Sequence, residues 1–75
     1  MNWISVLQSL PTAGHMVLVL ISCEGGSMQS IRSAQYTHET HYVQNKPTHW
    51  YNPNHKAAYT NVTHWMEFSH REELQ

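Results

Sequence analysis

Histidine is the residue type with the most chemistry to offer in this chain. Seven are present, and six of them lie between positions 38 and 70. The unit Thr-His-Trp-x4-His occurs twice, as Thr48-His49-Trp50 to His55 and as Thr63-His64-Trp65 to His70. Neutral imidazole is a good ligand for zinc, copper and nickel, and short His-rich tracts are compositional candidates for binding them. Spacing decides which histidines can cooperate. Two residues six apart project to opposing faces of a helix, and on a strand they lie about 20 Å apart, so neither element lets such a pair chelate. Only a turn between them can do so, and Asn52-Pro53-Asn54 supplies one for His49 and His55.

His38 and His41, three apart, form a second local pair on a helix. His38-Glu39-Thr40-His41 is one residue short of the helix-borne H-E-x-x-H zinc pattern, so hydrolytic zinc chemistry is not implied. The metal expectation is a site for zinc, copper or nickel drawn from His38, His41, His49 and His55; the competing expectation is exposed or locally bonded imidazoles. Protonating all seven would move the formal charge from −1 to −1 + 7 = +6. For unperturbed side chains that happens mostly between about pH 7.5 and 5.5, so association with anionic surfaces is expected to strengthen on acidification.

Other catalytic chemistry is poorly supplied. No Asp occurs, and Cys23 is the only cysteine, so an internal disulfide is excluded and a Ser-His-Asp triad is impossible. No nucleophile has a base at an informative spacing, and the expectation is a non-enzymatic protein without a resident organic cofactor. Arg32, Lys46, Lys56 and Arg71 are scattered, which leaves no basic patch to displace counterions from a phosphate backbone, so nucleic acid is not expected as a partner.

The elements that must position these residues are few. Leu, Ile, Val and Phe make up 14 of 75 residues, close to the level at which a stable core becomes difficult, with three Trp and four Tyr in partial compensation. The one sustained aliphatic run, Met16 to Ile21, is rich in β-branched residues and is closed by Ser22-Cys23-Glu24-Gly25-Gly26, which predicts a buried strand. Before it, Asn2 to Leu10 predicts a short helix capped by Asn2, with Trp3, Ile4, Leu7 and Leu10 on one face and Pro11 ending it. Met28 to Thr40 predicts at most one or two weak helical turns. Tyr42 to Asn54 predicts a loop, given Lys46-Pro47 and Asn52-Pro53-Asn54. Ala58 to Thr63 favours strand, and Trp65 to Leu74 favours a short helix capped by Thr63. The expected class is therefore a small α+β or largely irregular chain, marginally stable alone. It divides into an uncharged apolar segment (1–23), a polar loop-rich segment (24–56) and a strand/helix segment (57–75).

Residues 1 to 23 carry no charged side chain. A single membrane-inserted helix is one alternative to the helix-turn-strand reading, opposed by Gln8, Pro11, Gly14 and His15. Leu20-Ile21-Ser22-Cys23 resembles the lipid-attachment box of bacterial lipoproteins over those four residues, which implies a processed and lipidated Cys23; no Lys or Arg precedes the run. Asn61-Val62-Thr63 is a glycosylation sequon, relevant only in a secretory pathway. Ser69-x-x-Glu72 matches a capping box.

The functional expectation that follows is a small accessory protein. Its apolar front third, through Trp3, Ile4, Leu7, Leu10, Val17, Leu18, Val19, Leu20 and Ile21, would dock on a partner protein or a membrane, or on a second copy of the chain. Membrane association or membership of a larger assembly would be the setting. A His-rich metal-binding peptide is the alternative, and an arbitrary reading frame without a selected role is the third.

Overall fold

A computed structural model describes residues 2–22 and 28–68. Six antiparallel strands form one sheet: β1 (Ile4–Ser5), β2 (Met16–Ser22), β3 (Gln29–Val43), β4 (Lys46–Asn52), β5 (Ala57–Tyr59) and β6 (Val62–Glu67). Their order is β1-β6-β2-β3-β4-β5. The last strand therefore sits between the first two.

The link from β5 to β6 determines the shape of the sheet. Tyr59 and Val62 belong to strands four places apart in the sheet, yet only Thr60 and Asn61 join them. Three Cα steps reach at most about 11 Å, whereas four strand spacings in a flat sheet need about 19 Å. The sheet must therefore roll up, and it rolls around one core. Val17, Val19, Ala34, Trp50 and Trp65 form that core, with Ile4, Val6, Ile21, Tyr36, Tyr59 and Val62 packed against it. Alternation along each strand explains the membership. Val17 faces Ala34 on β3 and Val19 faces Trp65 on β6, and both valines are fully buried. The segment between β1 and β2 is tied across the core by the Trp65 indole, whose Nε1 donates to the Ser9 carbonyl at 3.0 Å.

Turn chemistry fixes the register. Gln44 and Asn45 both have positive φ, 52° and 68°, and join β3 to β4 as a two-residue hairpin of the type that matches strand twist. Pro47 then lies opposite Tyr42 on a stretch of β4 that β5 does not reach, where its missing N–H costs no ladder bond. Asn52 closes the other end of β4: its Oδ1 accepts from the Asn54 and His55 amides at 2.8 and 3.1 Å, building the turn to β5.

The α+β expectation is overturned, because the described residues contain no helix and form an all-β sheet. In place of the Asn2–Leu10 helix, Ile4 and Ser5 pair with Trp65 and His64. One turn follows, in which the Ser5 carbonyl accepts from the Gln8 and Ser9 amides and its hydroxyl from Leu7. It does not propagate, since nine residues bounded by Pro11 cannot offset the nucleation cost and the sheet offers Ile4 a buried partner. The C-terminal helix is overturned where it can be seen: Trp65 to Glu67 are strand residues, and Thr63, expected as a cap, donates its hydroxyl to the Leu20 carbonyl at 3.3 Å. Phe68 is not helical either, and residues 69–74 of that predicted helix lie outside the described residues, as do Cys23, His70 and the Ser69-x-x-Glu72 pattern. The 28–40 segment and most of the expected 42–54 loop are strand as well. Across residues 29–35 β3 borrows its order from pairing with the aliphatic β2 rather than from its own apolar content. The buried strand expected at Met16 to Ile21 is present as β2.

Candidate functional site: an uncharged outer strip and the pocket at its end

Because β2 alternates, the residues between its core valines point to the outside of the rolled sheet. Leu18 and Leu20 are half-buried there. Leu20 is paired with Ile31 on β3 and His64 on β6, and Leu18 with Ser33 and Met66. Ile31 remains 53% exposed. With Gln29, Gln35 and Met16, these side chains make an outer strip across β3, β2 and β6 that contains no Lys, Arg or Glu. An aliphatic run buried on one face only would alternate with polar residues; this one does not, so β2 is apolar on both sides of the sheet.

The strip runs into an open pocket of about 580 Å³, within the range of natural ligand pockets. Met16 and Ser33 belong to both. Three segments wall the pocket: Gly14 and His15 before β2, the Asn52–His55 turn, and Glu67 with Phe68 at the end of β6. The turn is held rigidly. Asn52 is 1% exposed and uses both ends of its amide, with Nδ2 donating to the carbonyl and the hydroxyl of Ser33 at 2.8 and 3.1 Å. Gly14 has φ +85° and open space where a Cβ would stand, which keeps that wall clear. The side chains of His15, His55 and Glu67 have no hydrogen-bond, ion-pair or ring partner among the described residues. They are therefore available to a ligand. The Ser33 hydroxyl in the pocket accepts from the Asn52 amide, which cannot take its proton.

The predicted metal ligands do not converge. Residues 37–40 bulge out of β3 opposite His49, whose Nδ1 lies 3.1 Å from the Glu39 carbonyl oxygen. His38 packs edge-on to Tyr36, with ring centroids 5.9 Å apart. His41 stacks on Tyr51 at 4.1 Å with the rings 3° from parallel, and its Nε2 is 3.9 Å from a Glu39 carboxylate oxygen. His55 is at the opposite end of β4, in the pocket. Among the described residues no three His, Cys, Asp or Glu side chains come together in a way that could hold a metal ion. The repeated Thr-His-Trp unit has a structural meaning instead. In both copies the Trp enters the core and the Thr hydroxyl donates to a carbonyl of another strand, Thr48 to Tyr59 and Thr63 to Leu20.

The predicted docking residues divide in two. Val17 and Val19 are committed to the core, and Ile4 and Ile21 pack against it. Leu7, 95% exposed, and Leu10, 47% exposed, lie on the segment before β2, Trp3 is half-buried, and Leu18 and Leu20 lie on the strip. Ile31, Met66, Glu67 and Phe68 are not among the expected docking residues. Val62 to Glu67 shows no period-two alternation, with Trp65 and Met66 adjacent, so the sequence carried no strand signal for Met66 and Glu67. No helix of the described residues is long and apolar enough to cross a membrane.

The model of one protein family, described as "Protein of unknown function (DUF551)", matches residues 2–70. The chain belongs to that family. No curated protein and no solved structure matches it.

Proposed function

We propose that the protein is a small non-enzymatic interaction module that docks a partner protein on the outer strip of its sheet, through Leu18, Leu20 and Ile31, beside the buried Met66. The observation that carries this is the second apolar face of β2. Leu18, Leu20 and Ile31 stand outside the core cluster, half-buried or exposed, yet they lie side by side in register with no charge among them. Adjacent uncharged apolar groups of this kind favour burial against another surface. The convex shape of a rolled sheet suits a groove on the partner.

A photo-reactive residue at position 20 or 31 tests the reading against one at position 32, whose side chain projects to the other side of β3. The expected result is one partner protein, identified by mass spectrometry, joined from 20 and 31 and not from 32, and lost in Leu18→Lys. Equal labelling from all three positions would overturn the reading. Flotation with neutral or anionic vesicles is expected to leave the protein in solution; co-flotation dependent on Leu20 would assign the strip to a membrane instead.

A further inference from the structure

His64 stands inside the uncharged strip. It pairs with Leu20 on β2 and with Ser5 on β1, shares the outer side of β6 with Met66, and is half-buried. Its tautomer follows from a count of protons. Nδ1 lies 3.0 Å from the Thr63 Oγ1, and that hydroxyl is itself 3.3 Å from the Leu20 carbonyl oxygen. A carbonyl only accepts, so the single hydroxyl proton goes to Leu20, and the Thr63 oxygen is left to receive a proton from the ring. Nδ1 therefore carries the hydrogen of the neutral imidazole, and Nε2 is a bare acceptor. Among the described residues Nε2 has no hydrogen-bond partner, and none of their buried side-chain nitrogens or oxygens lacks one, so Nε2 is open to solvent.

The surroundings of the ring decide which protonation state can be covered. Ser5 faces it from β1, Leu20 from β2 and Met66 along its own strand, and none of these titrates. The Glu67 carboxylate belongs to the other side of β6, opposite Val17, as Trp65 is opposite Val19. A surface laid over Leu20 and Ile31 would take His64 out of water with them. A neutral ring can be covered at little cost once its acceptor is met. An imidazolium there would be a desolvated cation without a counter-charge, and its Nε2 would have turned from acceptor to donor.

We infer that His64 is the polar contact of the docking strip: the partner protein brings a hydrogen-bond donor to Nε2, and protonation of the ring releases the partner. This assignment rests on the docking role of the strip and adds the chemistry of the opposing surface. That surface is apolar, with an N–H or O–H set among its side chains, a combination that the Trp indole and the Tyr phenol each supply in one residue.

Two measurements on the full chain test this. Ring-nitrogen NMR of the isotope-labelled protein at neutral pH is expected to show His64 Nδ1 protonated and Nε2 bare; the opposite tautomer would overturn the assignment with no partner present. The second takes as its probe the protein that cross-links from positions 20 and 31, purified and titrated at about pH 7.5 and about pH 5.5, the span across which imidazoles take up a proton. Docking is expected to be about tenfold weaker at the lower pH, where the neutral ring is the minor form. His64→Gln keeps an acceptor near the place of Nε2 and cannot charge, so it is expected to bind about equally at both. His64→Phe strands the partner's donor and is expected to bind roughly fivefold more weakly than the unmodified chain at the higher pH. An amide spectrum unchanged away from β6 shows that each variant is folded. Equal affinity of the unmodified chain at the two pH values, tighter docking at the lower one, or the same pH slope in His64→Gln would overturn the assignment and leave the docking role standing. Absence of cross-links from positions 20 and 31 at either pH would remove the docking role, and the release with it.

Discussion

Asn52 donates to both the carbonyl and the hydroxyl of Ser33 across a separation of 19 residues, while its own Oδ1 receives two amides of the turn that follows. One buried side chain thus fixes the position of β3 relative to the wall that carries Asn54 and His55. Removing it strands four polar groups at once. Asn52→Ala is expected to cost about 2–4 kcal/mol in urea unfolding. Asn52→Asp retains the acceptor and loses the donor, so it should fall between the two proteins; an Asp variant as damaging as Ala would remove the turn-building role of Oδ1.

The two Thr-His-Trp units predict an ordered pair of effects. Thr48 is 7% exposed, donates to the Tyr59 carbonyl and accepts from the Trp50 amide, whereas Thr63 is half-buried and donates to Leu20. Replacing each with the near-isosteric Val isolates the hydroxyl. Thr48→Val is expected to lower stability by about 1–2 kcal/mol and Thr63→Val by about 0.5–1 kcal/mol. The order of the two thermal midpoints is the check, and a reversal would contradict the buried hydroxyl network.

The histidine repeat shows what was legible in the residues and what was not. The echo between positions 48–50 and 63–65 is visible in the sequence, but imidazole is its most reactive member and draws attention from the Trp beside it. In the fold, the indoles build the core and the imidazoles follow from alternation. β2 was readable because six consecutive apolar residues, three of them β-branched, have few alternatives. β3 was not, because a polar strand is specified by its neighbours' pairing and shows no pattern of its own. Trp3, Ile4, Leu7 and Leu10 imitate a helical face, yet Ile4 is a strand residue and Leu7 stands in solvent. Leu18 and Leu20 of the candidate surface lay among the residues expected to dock; Ile31 becomes their neighbour only through strand pairing.

The β3–β4 hairpin offers a stabilising change. Gln44 holds φ 52° without the tolerance that Asn or Gly has for that region. Substituting Asn-Gly for Gln44-Asn45 is expected to raise stability by about 0.5–1 kcal/mol. A melting temperature unchanged or lowered would mean that the turn has another conformation.

Gly14 gives the opposite test. A Cβ there meets nothing within 4 Å, so Gly14→Ala introduces backbone strain without a clash. The expected cost is about 1 kcal/mol, from the left-handed region alone. A loss several times larger would show that the wall is crowded.

Zinc provides a final check on the separated histidines. A site with a dissociation constant of about 1 µM would stabilise the fold by about 2.7 kcal/mol at 100 µM metal. Because His55 lies far along β4 from His38, His41 and His49, zinc, copper and nickel are each expected to leave the unfolding midpoint in place. A cooperative rise abolished by His41→Ala would contradict that.

The seating of β6 between β1 and β2 bears on how the protein is made. During translation, β2 emerges early and can find β3, but its other flank stays open until residue 67 has left the ribosome, and the core lacks its second indole for as long. Folding is therefore completed late and all at once, and pairing Ile4 with Trp65 makes it slow for so short a chain. A nascent polypeptide stalled before that point would expose its greasiest segment, and it would depend on chaperones to keep it from aggregating.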